Sequence, residues 1–462
     1  MDKNNGAIYD ARKLGKPKMI ILGVQHMFAM FGATILVPIL TGLDISTTLL
    51  MAGLGTLLFH CITKFKVPAF LGSSFAFLGG YAAIKAFSPN DPNSMLPYAC
   101  LGVACAGLIY FILAAVIKAV GIEKVMRFFP PVVTGPIIIA IGLGLAPSAV
   151  SNCTTNWFLA VVALAVIVVF NIWGKGMAKI IPIILGLLIS YGTGLVLYFI
   201  SQANPDLIQN VPWLFSGGAD ANGVYQPIFD FTSLNTICDN ISKGHIFGSE
   251  GLIGIPIHWD KTVFGGIDYS NGALIASSII AIVPIAFATM MEHIGDICAI
   301  GSTTGNNYIK DPGLHRTLVG DGLATTLASL FGGPANTTYG ENTGVLALTR
   351  VYDPRVIRIA AYFAVAVSFF PIVSVIIGSI PSCIIGGISF VLYGMISAIG
   401  VRNVVENKVD FTKSRNLIVA AVILVCALGL SSDTVSFTIG SAAITLSPLA
   451  VASIAGIVLN AV

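Results

Sequence analysis

Residues 333–344 read GPANTTYGENTG, and residues 67–77 read VPAFLGSSFAF. Both stretches lie among apolar residues, open with Pro-Ala, and continue with hydroxyl and aromatic side chains between glycines. Proline and glycine interrupt helices, and threonine and aromatic residues favour extended backbone. Non-helical backbone survives at membrane depth only where protein or a wet cavity covers it. The two stretches therefore predict paired breaks in membrane helices, with two ordinary glycine kinks as the alternative.

The composition of the whole chain is that of a membrane protein. Its 462 residues are 56% hydrophobic and 10% charged, and the mean hydropathy is +0.89. A soluble domain carries about 25% charged residues, so the chain cannot cover itself with a polar surface. This excludes a cytosolic enzyme and a disordered protein. The net charge of +3 is too small for binding to a nucleic acid backbone.

The apolar segments fall into two sets of seven, separated by a long polar stretch. The predicted spans are residues 19–40, 46–63, 67–87, 97–118, 129–149, 156–173, 178–200, 272–300, 317–332, 336–349, 356–378, 381–400, 415–431 and 439–461. Each break occupies the third position of its set, and such pairs point to an inverted-repeat transporter and its site. We therefore predict an all-α integral membrane protein with fourteen transmembrane segments in a seven-plus-seven inverted repeat.

The basic residues predict the orientation of these segments. With the N-terminus inside, 21 of the 24 Lys and Arg residues are cytoplasmic, and only Lys85, Lys243 and Lys261 lie on the other side. This is a strong positive-inside bias. We expect a cytoplasmic tail at residues 1–18, a folded extracellular loop at residues 201–271, and both termini in the cytoplasm. The first apolar stretch lacks a cleavage site, so we expect it to be retained as a helix.

Four carboxylates lie within the apolar segments: Glu292, Asp296, Asp321 and Glu341. An ionisable residue inside a membrane is a functional candidate, because it is costly there without a partner. Glu292 and Asp296 are four residues apart, so both face a common space. Two acids that close repel each other, which favours proton exchange by one of them near neutral pH.

Simpler roles are open for three of the polar residues. Asp296 is either directed at the same space as Glu292 or solvated near the cytoplasmic rim. Asp321 is either a proton site or a structural partner for a hydroxyl or a backbone amide. His26, in the first span, is expected to support the site from a second layer, with Glu341 and Asn342 as plausible partners. The Cys and His pattern predicts no metal site. No phosphate-binding Gly-Lys loop occurs in the sequence, which argues against an ATP-driven pump.

Several motifs together identify a known family. They are QHMFAMFG at 25–32, GSSFAF at 72–77, EHIG at 292–295, DPGLHR at 311–316, NTTYGEN at 336–342 and ENTGVLALTR at 341–350. The chain resembles the nucleobase–ascorbate transporters in these motifs, and bacterial uracil permeases most of all. The resemblance covers residues 19 to about 430.

The resemblance implies a division into two membrane domains. A core domain would take residues 19–120 and 272–378, and a gate domain would take residues 121–200 and 379–462. Similar members are proton-coupled importers of the plasma membrane and are commonly homodimers. No cofactor is implied, and the expected partners are a nucleobase, a proton and membrane lipid, with no nucleic acid.

The resemblance also assigns roles to residues. Substrate binding is implied for seven of them: Glu292 and Glu341 as carboxylates facing the base, Phe75 and Gly340 through their backbone, Tyr339 and Ser74 lining the pocket, and Tyr393 on the gate side. A supporting role is implied for His26 and Asn342. From the argument on carboxylates within apolar segments, rather than from the resemblance, we predict proton coupling by Glu292, Asp296 and Asp321.

Uracil fits this residue set chemically. Two carboxylates can accept from its N–H groups, and backbone amides of the broken segments can donate to its carbonyl oxygens. Glu341 favours a pyrimidine, because xanthine-type relatives tend to carry Gln at this position. Asp296 leaves a xanthine or purine proton symporter as the alternative, because some uracil permeases carry His there and purine-transporting relatives carry Asp. An anion transporter of the same architecture is the more distant alternative, and the two glutamates would repel an anion.

Overall fold

The computed structural model describes residues 7–127, 130–430, 436–439, 442–445 and 448–461. Side chains are described in these ranges except at Ile122, Met126, Met177, Ile180, Glu341 and the segments 436–439 and 442–445. The chain forms two compact units. The first contains Met1–Ile141, Pro256–Ser368 and Ile396–Val462, and the second contains Gly142–Ile255 and Phe369–Met395. The predicted division into core and gate domains stays a prediction.

Helices dominate both units, and the strands are short. The helices up to residue 266 are α1 (Lys16–Thr41), α2 (Ile45–Ile62), α3 (Leu78–Lys85), α4 (Leu96–Val120), α5 (Ile122–Met126), α6 (Pro131–Cys153), α7 (Trp157–Trp173), α8 (Met177–Ile180), α9 (Pro182–Ala203), α10 (Asp206–Asn210), α11 (Pro212–Phe215), α12 (Thr232–Ser242) and α13 (Val263–Gly266). The remaining helices are α14 (Gly272–Ile282), α15 (Ile285–Thr304), α16 (Leu314–Leu330), α17 (Gly340–Thr349), α18 (Pro354–Ser368), α19 (Pro371–Gly378), α20 (Ser382–Glu406), α21 (Ser414–Gly429) and α22 (Pro448–Ala461). The strands are β1 (Leu71–Ser73), β2 (Ser216–Ala219), β3 (Tyr225–Pro227), β4 (Asn336–Thr338), β5 (Ser436–Ile439) and β6 (Ala442–Thr445).

The helices account for the apolar segments of the sequence. Each of the fourteen predicted segments contains a helix. Among the described residues, seven helices are long and apolar enough to cross a membrane when α14 and α15 are taken as one, or eight if α18 and α19 also form one broken span. The chain is therefore a mostly helical, multi-pass membrane protein. The number of fourteen spans stays a prediction, because several of the helices are shorter than a bilayer is thick.

At three places the helix boundaries in the structure differ from the predicted ones, and a proline lies at each of them. Segment 272–300 is divided into α14 and α15 next to Pro284, and segment 356–378 is divided where Pro371 begins α19. The last segment was predicted at 439–461, but α22 begins only at Pro448, and β5 pairs with β6 ahead of it. Proline has no N–H to donate, so it fits the first turn of a helix and ends the continuous pattern before it.

Close backbone contact between α4 and α16 forms the centre of the first unit. A Cβ atom on Gly322 of α16 would lie 2.6 Å from the carbonyl oxygen of Gly107, and one on Gly107 would lie 2.7 Å from the carbonyl oxygen of Gly322. Each glycine therefore leaves room for the other helix. This approach brings α16 against Tyr110, whose hydroxyl donates to Thr289 of α15 at 2.6 Å. Helices α4, α15 and α16 are thus packed together around buried polar groups.

The first described residues are bonded to the rest of this unit. The backbone N–H of Ala11 donates to Asp353 at 2.7 Å, and the hydroxyl of Tyr9 donates to the carbonyl oxygen of Thr304 at 2.7 Å. Asp10 accepts hydrogen bonds from Arg12. These bonds hold the pKa of Asp10 well below its usual range. The segment before α1 therefore joins the end of α15 to the start of α18.

The second unit contains most of the long polar stretch between the two halves. Helix α7 packs against α9, and β2 pairs antiparallel with β3. The side chain of Asn156 donates to the carbonyl oxygen of Ser216 at 2.8 Å, which fixes the hairpin to the start of α7. Phe229 stacks on Phe231 and meets Tyr191 edge-on. The stretch is folded, as the sequence predicts, and its location outside the cell stays a prediction.

The contact between α4 and α16 gives a first prediction. Replacing Gly322 with Ala places a methyl group against the backbone of Gly107, so we expect the free energy of unfolding to fall by about 1–3 kcal/mol. Thermal unfolding of the purified protein in detergent measures this change. Gly192→Ala in α9 is the matched control, because its Cβ would meet no atom within 4 Å. Equal melting temperatures for the two variants would contradict the packing described here.

Candidate functional site

The two breaks predicted from the sequence meet as a two-stranded antiparallel sheet. Leu71 pairs with Thr338, Gly72 with Thr337 and Ser73 with Asn336. Backbone bonds continue beyond the strands on both sides: Ser74 donates to Ala335 at 2.9 Å, and Tyr339 donates to Phe70 at 3.0 Å. The pairing satisfies backbone groups that a helix would otherwise satisfy, so non-helical backbone is tolerated here.

Side chains of neighbouring helices bind the outer edges of this sheet. Thr56 of α2 accepts from the backbone N–H of Leu71 at 2.9 Å. Thr325 of α16 donates to the carbonyl oxygen of Asn336 at 2.7 Å, and the side chain of Asn336 donates to the carbonyl oxygen of Met51 at 3.1 Å. The hydroxyl and amide residues of the sequence therefore replace the hydrogen bonds of missing strands. Both breaks are fixed to α2 and α16.

A helical segment begins directly after each strand. Phe75–Phe77 forms a 3₁₀ turn that continues into α3, and α17 begins at Gly340. The N-cap residues Ser74 and Tyr339 do not cap these segments with their own side chains. The first N–H groups of a helix have no partner within it, and the helix dipole favours negative charge there. Both breaks thus end in hydrogen-bond donors suited to carbonyl oxygens.

Tyr339 ties the two breaks to α1. Its hydroxyl donates to the carbonyl oxygen of Ser73 at 3.0 Å and accepts from Thr34 of α1 at 3.3 Å. The ring lies where a Cβ atom on Gly72 would be, so this position requires glycine. The side chain is buried, and its predicted role in lining a pocket stays a prediction.

Ser74, Phe75 and Gly340 lie at the starts of the two helical segments. The hydroxyl of Ser74 is buried and has no hydrogen-bond partner within the described part of the chain. Phe75 is buried beside it, whereas Gly340 is exposed. An unpaired buried hydroxyl is costly, and a ligand group or water that binds it would remove the cost. Helix α15 packs against the turn that begins at Phe75 and against α17, and a shared role of the three residues at a ligand stays a prediction.

The carboxylates of α15 approach the second break. Glu292 and Asp296 are both partly buried, one turn apart. Thr338 of β4 donates to Asp296 at 3.0 Å, so Asp296 is bonded to the break rather than simply solvated at the rim. The other oxygen of Asp296 lies 3.8 Å from the position of a Cβ on Gly340, at the start of α17. A carboxylate at this end of a helix is favourably placed.

Asp321 and His293 form a buried pair that the sequence did not suggest. Oδ2 of Asp321 lies 3.4 Å from Nδ1 of His293, and neither side chain is exposed. Among the described residues, Asp321 forms no hydrogen bond to a hydroxyl or to a backbone amide. The sequence leaves open a structural role for Asp321 with such a partner. His293 received no predicted role, because its partners come from distant parts of the chain. Its position next to Glu292 in the sequence was the only available signal.

The predicted supporting residues His26 and Asn342 are in contact. The side-chain amide of Asn342 donates to the backbone oxygen of His26 at 3.2 Å and lies 3.2 Å from its Nδ1. Both side chains are buried. This contact joins α1 to α17 one turn after the second break. Whether it supports a ligand stays a prediction.

Two predicted residues are not joined to this group by the structure. The side chain of Glu341 lies outside the described residues, although its backbone belongs to α17. Tyr393 belongs to α20 in the second unit, where its side chain is buried. Their predicted roles at the ligand stay predictions.

Comparison with known proteins identifies relatives over nearly the full chain. The model of a permease family matches residues 17–436. The uracil permease of Bacillus caldolyticus is 37% identical over 96% of this chain and 91% of its own length. A putative pyrimidine permease of Escherichia coli, RutG, is 34% identical over 99% of this chain and 92% of its own length.

The fold also resembles that of a solved anion transporter. The transmembrane domain of the cyanobacterial bicarbonate transporter BicA aligns with a TM-score of 0.57, covering 97% of this chain and 99% of that domain. The identity is 12%, so this likeness concerns the fold alone.

The edge of the sheet gives a second prediction. Asn336→Ala removes the hydrogen bond that fixes β4 to Met51 of α2, together with the buried side chain that forms it, so we expect the free energy of unfolding to fall by about 1–3 kcal/mol. Thr337→Val is the matched control, because the buried hydroxyl of Thr337 has no partner in the part of the chain that the structure describes. Thermal unfolding should show a lower melting temperature for Asn336→Ala only. A comparable loss in both variants would mean that the bond does not hold the break.

Proposed function

The chain belongs to the permease family of nucleobase–ascorbate transporters and is a transporter rather than an enzyme, and from this premise we propose that it imports uracil together with a proton. Uracil permease relatives at 33–37% identity support nucleobase transport. Uracil as the cargo, proton coupling and alternating access are parts of the proposal. The proposed location is the plasma membrane, with both termini cytoplasmic and the protein a homodimer.

The two helix starts that pack against the carboxylate-bearing helix α15 carry this proposal. Uracil presents two N–H donors and two carbonyl acceptors on a flat ring. The N–H groups after Ser74 and Tyr339 supply donors for its oxygens, and the carboxylates of Glu292 and Glu341 supply acceptors for its N–H groups. Each hydrogen bond to a charged group is worth about 1.5–3 kcal/mol in such a site, which is enough in sum for micromolar binding. The Ser74 hydroxyl would gain a partner, with Phe75 beside the ring.

Proton coupling is assigned to Glu292, Asp296 and Asp321. A proton on Glu292, or shared with Asp296, removes charge from the site and lets uracil and the proton enter together from outside. Movement of the core domain (19–120 and 272–378) against the gate domain (121–200 and 379–462) would then release both inward. In this scheme His26 and Asn342 support the site, and Tyr339 and Tyr393 line it.

Two other cargoes are tested by the same experiment. A xanthine or purine symporter is the nearer alternative, because Asp296 matches purine-transporting relatives. An anion transporter is suggested only by the shared fold, and the carboxylates Glu292 and Asp296 on α15 would repel an anion. The named relatives that are uracil or pyrimidine permeases favour the pyrimidine.

Uptake of radiolabelled uracil into proteoliposomes tests the proposal. We expect accumulation when the outside is acidic, competition by uracil-like bases, and no competition by excess xanthine or bicarbonate. Competition by xanthine would transfer the assignment to a purine carrier. Competition by bicarbonate, or no saturable uptake of uracil, would contradict a nucleobase importer.

Glu292 gives the sharpest prediction of this mechanism. In Glu292→Gln the side chain keeps its shape but cannot be ionised or carry the proton, so we expect gradient-driven accumulation of uracil to fall at least about tenfold. Glu406→Gln is the control, since Glu406 forms an exposed pair with Arg402 on α20. Transport by Glu292→Gln at the wild-type rate and with the same pH dependence would exclude Glu292 as the carrier.

A further inference from the structure

The hydroxyl of Thr338 lies between the carboxylate of Asp296 and the imidazole of His293. It donates to Oδ2 of Asp296 at 3.0 Å, and its oxygen lies 3.4 Å from Nδ1 of His293. A hydroxyl has a single proton, so once it donates to Asp296 it can only accept from His293. His293 must then carry its proton on Nδ1. The same Nδ1 lies 3.4 Å from Oδ2 of Asp321, close enough for electrostatic attraction but without the geometry of a hydrogen bond.

The geometry leaves few other arrangements. His293, Asp321 and Thr338 are all at most 2% exposed, so bulk water does not compete for these bonds. Nε2 of His293 has no partner among the described residues, and Phe59 meets the imidazole ring edge-on at 6.2 Å. The nearby carboxylate of Asp321 attracts the proton on Nδ1 electrostatically, His293 donates this proton to the Thr338 hydroxyl, and the hydroxyl is directed at Asp296.

We propose that Thr338, oriented by His293 and Asp321, holds Asp296 as a hydrogen-bond acceptor and so links protonation of Asp296 to the position of β4. The relevance of this link to transport rests on the proposed function. When Asp296 gains a proton it stops being a charged acceptor, and the bond between α15 and β4 weakens. Strand β4 leads directly into α17, so proton binding on α15 would be transmitted to the helix start that receives the substrate. His293 and Thr338 are positioning residues in this account.

Other ionisable groups also face Asp296. They are Cys298 on its own helix and Asp321 on α16, with Glu292 one turn away on α15. The experiment therefore has to observe Asp296 itself. It also has to compare variants that leave these neighbours unchanged.

Infrared spectroscopy of the purified protein in lipid, titrated with pH, observes the carboxyl band directly. The band of Asp296 is identified by its absence in Asp296→Asn. In Thr338→Val the carboxylate loses its donor, so we expect the midpoint of this band to move to higher pH by about one unit. Thr338→Ser retains the hydroxyl and should keep the wild-type midpoint. His293→Leu should move the midpoint in the same direction as Thr338→Val, and His293→Asn, which can still donate, should restore it in part.

The outcome does not depend on transport. A midpoint in Thr338→Val equal to that of the wild type, in a protein with an unchanged melting temperature, would overturn the inference even if uracil is transported. Failure of the wild type to transport uracil would overturn the proposed function and leave the titration valid. If Thr338→Val does not fold, the comparison of His293→Leu with His293→Asn decides: equal midpoints in these two variants would overturn the inference.

Discussion

Backbone N–H and C=O groups inside a bilayer have no water to bind, and the rest of this structure depends on how the chain meets that constraint at its two breaks. Strands β1 and β4 pair with each other, and hydroxyl and amide side chains from α2 and α16 occupy part of their outer edges. Neither break could persist alone, because each supplies the hydrogen bonds of the other. The close approach of α4 and α16 through Gly107 and Gly322 holds α16 in the position that this requires.

The same pairing determines where ligand chemistry is available. A helical segment starts after each strand, and α15 packs against both segments and is bonded to the end of β4 through Asp296 and Thr338. Donors on the backbone and acceptors on carboxylates are the complement of a nucleobase edge. The BicA domain has a similar fold at 12% identity, and a fold alone does not determine which substrate is carried.

The sequence predicts the breaks but not their geometry. Pro-Ala followed by hydroxyl residues and glycines marks each break, and the family motifs identify the helix that carries Glu292 and Asp296. The register of β1 with β4 could not be predicted, because both strands are three residues long and their pattern does not distinguish two faces. The boundary at Pro448 was missed because the preceding residues are as apolar as a helix. The role of His293 depends on distant partners, which no local pattern reveals.

The central claim is that a nucleobase binds where the two breaks meet, and amide hydrogen exchange tests it most directly. Exchange would be followed by mass spectrometry on the purified protein in lipid, with and without saturating uracil. The account predicts slower exchange in peptides covering residues 74–80 and 340–346, and no change in α12. Uracil that leaves both helix starts unprotected, or protects only segments away from the breaks, would contradict it.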